Sequence, residues 1–132
     1  NSGVAIAQGD LLAVTGSNAS GGHLNVSIAK ATSTGVLRDG MKLVAEHDIA
    51  IGQTGIAVSW LIQAYDTSAS GTLGSVATGA LLFLNSTGAS KDTLSKTAAG
   101  AAHYNKVVGQ VLIGASASGK ILLCPSLTSG VS

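Results

Sequence analysis

Apolar residues in this chain gather in short runs of strand length, and small polar residues fill the gaps between the runs. The runs are 11–15 (LLAVT), 24–29 (LNVSIA), 41–45 (MKLVA), 55–63 (GIAVSWLIQ) and 80–84 (ALLFL). Between them lie GSNASGG, ATSTG, DIAIGQTG, DTSASGTLG and NSTGASKD. Glycine accepts positive φ and Ser, Thr, Asn and Asp bond their own backbone, so these clusters favour turns. The clearest strand pair lies near the C-terminus. Val107, Val108, Val111, Leu112 and Ile113 form its first run and Ile121, Leu122, Leu123 and Cys124 its second, with 115–119 as the turn. Pro125 has no N–H to donate to a ladder and marks the end of regular pairing. Together these signals predict about seven or eight short strands in an all-β domain, a single antiparallel β-barrel or a jelly-roll-like sandwich. The segment 95–102 (SKTAAGAA) contains helix-compatible alanines, but Gly100 interrupts it and no apolar stripe continues through it, so it reads as a loop or a single turn.

With 132 residues the chain fits one domain, assigned to 1–125, followed by a flexible tail at 126–132. Composition sharpens this picture: 18 glycines, 10% charged and 3% aromatic residues, beside 45% hydrophobic residues that are mostly small aliphatics. A core of this kind has few large anchors, so assembly with other chains would supply further burial. The formal net charge is +1, and such a near-neutral domain is poorly protected against association. Lys and Arg do not cluster into a track for a phosphate backbone, which argues against nucleic acid as a partner. No apolar run reaches the ~18 residues that span a membrane, and NSGVAIAQGD lacks the layout of a signal peptide. The reading is therefore of a soluble chain with no membrane partner.

Candidate chemistry is sparse. His23, His47 and His103 lie far apart, and Glu46-His47-Asp48 reads as a solvated turn, since neighbouring side chains on extended backbone diverge. The segment 114–118 (GASAS) lacks the final glycine of a nucleophile elbow and reads as a hairpin turn. Neither phosphate-binding glycine pattern occurs. Asp10, Asp39, Asp66 and Asp92 sit beside turn residues, and Cys124 falls within an apolar run where a buried thiol is inert. These observations point to no catalytic residue, no cofactor and no metal. Three N-x-S/T sequons, at Asn18, Asn25 and Asn85, read as products of Ser/Thr-rich loops.

The order of pieces resembles the capsid decoration (cement) proteins of tailed bacteriophages and the related head-fibre domains. It is carried by 9–12 (GDLL), 48–55 (DIAIGQTG), 66–69 (DTSA), 79–84 (GALLFL) with 87–88 (TG), 107–111 (VVGQV) and 119–123 (GKILL). The resemblance implies a compact β-domain without enzymatic activity, made in the bacterial host cytoplasm and sited on the outer surface of an icosahedral head. There it would bridge neighbouring copies of the major capsid protein as a homo-oligomer, a trimer by preference or a dimer. The alternative is a head-fibre or tail-associated module that attaches to host glycans.

Four residues are candidates for an interface: Trp60, Tyr65, Tyr104 and Arg38. Trp60 and Tyr65 are placed in the strand with the greatest apolar content, Tyr65 just past the run 55–63, and of its two possible places, core or oligomer interface, Trp60 is assigned to the core. Tyr104, beside His103 and Lys106 in a polar loop, is expected at the surface, and Arg38-Asp39-Gly40 at a hairpin tip.

Overall fold

The computed structural model describes residues 4–18, 20–28, 41–84, 94–98 and 106–125. Within them the chain is all-β, with strands β1 (Leu11–Asn18), β2 (His23–Ile28), β3 (Met41–Ala45), β4 (Ala57–Val58), β5 (Leu61–Ala64), β6 (Leu81–Leu84), β7 (Leu94–Ser95), β8 (Gly109–Ile113) and β9 (Lys120–Leu123). They form two antiparallel sheets, one of four strands in the order β2-β1-β3-β4 and one of five in the order β5-β9-β8-β6-β7.

Alternation along the strands explains how the sheets meet. In the four-stranded sheet Leu11 lies opposite Val44, and Val44 opposite Val58, so these side chains share one face. In the five-stranded sheet Leu82, Val111, Ile121 and Leu123 take the alternate inward positions. Leu11, Ala13 and Val44 join them in a single core between the sheets, and Val58, Leu61 and Tyr65 pack against its margin. This shared core makes the two sheets one sandwich.

The centre of the opposite face of the four-stranded sheet is also covered. Leu12, Leu43, Ala45, Val26 and Ile28 point there, and Ile6 and Ile49 pack over them. The covering segments are fastened to each other by paired backbone bonds, Ile6 N to Ile49 O at 3.0 Å and Ile49 N to Ile6 O at 2.8 Å. The four-stranded sheet therefore has apolar residues buried on both sides, which its continuous run Leu11-Leu12-Ala13 already encodes.

Thr67 fixes the long β5–β6 connection to the β8–β9 hairpin. Its side chain is fully buried, with the hydroxyl 3.0 Å from Ile113 O and 3.1 Å from Ser116 O, and accepting from Ser116 N at 3.2 Å. The backbone adds Thr67 N to Ser116 O at 3.0 Å and Val76 N to Thr67 O at 3.1 Å. Gly119 lies against this hydroxyl so closely that a Cβ there would overlap it, which is why the turn ends in glycine.

Three expectations are corrected. The run 55–63 is not one strand: it divides into β4 and β5, which belong to different sheets. Val58 and Leu61 both turn inward onto the shared core, so the two residues between them bend around the corner and stay outside. Trp60 is consequently not a core residue; it is 57% exposed. Cys124 is half-buried rather than sealed in the core. The assigned tail, 126–132, lies outside the described residues.

Candidate functional site

The five-stranded sheet differs from its partner in what its outer face carries. Ile62 lies opposite Leu122, Leu122 opposite Gln110, and Gln110 opposite Leu81. Opposed residues share a face, so Ile62, Leu122, Gln110 and Leu81 form one row across four strands. Ile62 is 48% and Leu81 45% exposed, and the two between them are half-buried. A second row, Ala64–Lys120–Ile113, runs beside it. Ile113 reaches that row because the register shifts between Val111 and Ile113, where Leu112 is the extra residue of a bulge.

Trp60 extends the apolar surface at the start of β5. It lines, with Ile62, Val58, Ser59, Leu61 and Glu46, a shallow depression of about 550 Å³. Its exposure follows from the corner geometry, which leaves the indole nothing inward to fill. The polar residue of the first row is restrained: Gln110 Nε2 donates to Gly79 O at 3.1 Å, which holds the amide along the sheet. Among the described residues of these rows Lys120 is the charged one, and it sits to one side of the first row.

The remaining interface candidates divide. Tyr65 is half-buried with its side chain on the margin of the shared core and its N–H bonded to Gly119 O at 2.9 Å, so it anchors the end of β5. Arg38 and Tyr104 lie outside the described residues.

The acidic residues around the covering segments serve the backbone. Gln8 N donates to Asp48 Oδ1 at 2.8 Å, Gln8 Nε2 to Glu46 O at 3.0 Å, and Ala7 N to Asp10 Oδ2 at 2.8 Å. Partial burial pushes the Asp10 carboxyl above its ordinary value, opposed by the Ala7 N–H and reinforced by the Asp48 charge. His47 accepts from Ile56 N through Nε2 at 3.0 Å while Nδ1 lies 2.8 Å from Asp48 O, so a neutral ring protonated on Nδ1 ties both ends of the 47–56 loop. Asp66 accepts from Ser68 N at 2.9 Å and Ser68 Oγ at 2.6 Å, and these bonds hold its carboxyl below the ordinary range. Among the described residues no three His, Cys, Asp or Glu side chains converge as a metal site would require.

A second cleft, about 400 Å³, opens between β2 and the 49–57 loop, with Leu43, Val26 and Ala57 among its apolar lining and His23, Asn25 and Gln53 among its polar lining. Among the described residues no Phe, Tyr or Trp lines it.

The sequence carried a signal for the outer face that period counting passes over. An antiparallel strand with one wet face alternates apolar and polar residues, whereas ALLFL and ILLC are apolar at successive positions. Both faces of β6 and β9 are therefore apolar, although nothing in a run of letters says what lies over the second face. No family model, no curated protein and no solved structure matches this chain.

Proposed function

We propose that this chain is a structural virion protein that binds the outer surface of an icosahedral phage head and stabilises contacts between major capsid proteins. The observation that carries the reading is the apolar outer face of the five-stranded sheet, Ile62, Leu122 and Leu81 with Trp60 beside them, on a small sandwich whose other sheet has the centre of its outer face packed by Ile6 and Ile49. A subunit whose work is burial of area against partners needs such a surface and needs no catalytic group. The resemblance of 48–55, 79–84 and 107–111 to decoration proteins supplies the kind of partner.

The mechanism follows from multivalency. Each contact of a small domain with the shell is weak, but an oligomer that touches several capsid subunits at once holds far more firmly than any one contact. Val4, Leu24, Ile51 and Ile56 are exposed apolar residues, separate from the row formed by Ile62, Leu122, Gln110 and Leu81, and offer such secondary contacts. Bridging neighbouring capsid proteins then raises the barrier to their separation under internal pressure.

The test mixes the purified protein with heads stripped of it, images them by electron cryomicroscopy and measures the temperature of genome release. Stoichiometric density at symmetry-related positions with a raised release temperature supports the reading. Protein left in the supernatant contradicts it. A glycan-array signal through the cleft beside His23 and Asn25 would then favour the attachment module.

A further inference from the structure

We infer that the outer face of the five-stranded sheet pairs with the same face of a second copy, as a two-fold dimer in which Trp60 of each chain packs on Ala64 of the other. The inference deepens the proposed function, resting on its reading of this face as an assembly surface and naming the first partner.

Three observations carry it. The first is area. Trp60 at 57%, Ile62 at 48% and Leu81 and Ile113 at 45% exposure present apolar surface on the order of 400 Å². This is about half of the ~800 Å² per partner of a stable complex, and it supplies most of the apolar part such an interface carries.

The second is charge. Gln110 is the polar member of the first row, with its amide tied to Gly79 O, and Lys120 stands outside that row. The first row itself carries no charge, with Lys120 and Glu46 at its margins, and such a row costs little to desolvate against itself.

The third is shape. Take a two-fold axis lying along the row Ile62–Leu122–Gln110–Leu81. Each row residue then meets its own counterpart, apolar on apolar and the two Gln110 amides on each other. Positions on either side of the axis exchange. Trp60, just before β5, precedes and Ala64, at its end, follows Ile62 by the same two residues, so the largest side chain of one copy falls on the smallest of the other. Lys120, which pairs with Ala64, then brings its aliphatic stem to the edge of the opposing indole with its ammonium free to reach water. A surface with this self-complementarity fits a second copy of the chain before any other partner.

Sedimentation equilibrium of the isolated full-length chain tests the pairing without any capsid, so its failure is distinguishable from failure to bind heads. The expected result is a reversible monomer–dimer equilibrium. Ile62→Asp and Ala64→Trp, both at exposed positions, each raise its dissociation constant at least ~30-fold, as loss of a central anchor does. Leu24→Asp, at an exposed β2 position away from this face, leaves it within about two-fold. Far-UV circular dichroism and a two-state unfolding curve check that each variant folds. A wild-type chain that stays monomeric at ~100 µM, where a micromolar dimer is nearly complete, overturns the inference. So does a wild-type trimer, or a dimer that folded Ile62→Asp and Ala64→Trp leave intact.

Discussion

The two sheets of this sandwich are built from similar residues, yet the chain packs residues of its own over the centre of one outer face and not over the other. Over the four-stranded sheet the chain lays its own Ile6 and Ile49, joined by two backbone bonds and anchored by Asp10, Asp48 and His47. Over the outer rows of the five-stranded sheet, Ile62, Leu81 and Ile113 remain about half exposed. Burial of the first face belongs to the folding of a single chain, whereas burial of the second is left to association. Apolar residues that look alike in the sequence therefore do different work: Ile49 stabilises the fold and Ile62 the assembly.

The sharpest way to break the comparison is at the core both sheets share. Leu82→Ala removes a fully buried side chain from that core and is expected to cost about 2–5 kcal/mol in denaturant unfolding, with both sheets lost in one transition. Separate transitions for the sheets would contradict a shared core. Next comes the direct contrast of faces. Ile49→Ala, in the covering segment, is expected to cost about 2 kcal/mol or more, while Ile62→Ala changes monomer stability by less than about 0.5 kcal/mol and weakens association instead. Equal costs at the two positions would erase the distinction.

Thr67→Val keeps the shape of the buried side chain while removing the hydroxyl that Ser116 N and two carbonyls share. It is expected to cost about 1–3 kcal/mol and to increase hydrogen exchange in the 115–119 turn, measured by mass spectrometry. Thr67→Ser, which keeps the hydroxyl, should recover most of the exchange protection.

Smallest are two effects of pH with opposite signs. Asp66 has a folded-state value below the ordinary 3.8, so its contribution is present above that value and is lost as pH falls through the folded one. Ser68→Ala removes the bond from the Ser68 hydroxyl and should raise the carboxyl titration seen by NMR. Asp10 has a folded-state value above the ordinary 3.8, so stability falls as pH rises from that value through the folded one. Asp10→Asn keeps an acceptor for Ala7 N and should flatten that part of the stability profile, read from unfolding curves across acidic pH.

Much of the fold was legible in the chain. The hairpin of β8 and β9, its turn at 115–119 and the stop before Pro125 follow from apolar runs, small residues and a missing N–H. The all-β class followed from runs too short and too frequently broken for helices. The division of 55–63 was not legible, because the bend at Ser59 and Trp60 is imposed by Val58 and Leu61 reaching one core from two sheets. The bulge at Leu112 and the two-residue β7 likewise depend on the register against the neighbouring strand, which a run of letters does not state. Of the four interface candidates Trp60 faces solvent beside the outer rows and Tyr65 serves the core margin. Ile62, Leu81 and Leu122 escaped notice because a run such as ALLFL states that two faces are apolar and not which of them the chain covers.

Trp60 is the one tryptophan in the sequence and stands at the edge of the proposed interface, so its fluorescence reports the central claim directly. Emission is recorded on the intact chain from about 100 µM downward, the range in which a micromolar dimer dissociates. The account predicts a blue-shifted, acrylamide-protected indole at high concentration that shifts red and becomes quenchable on dilution, in step with the sedimentation mass. An emission maximum and quenching constant that stay those of an exposed indole at every concentration would contradict it.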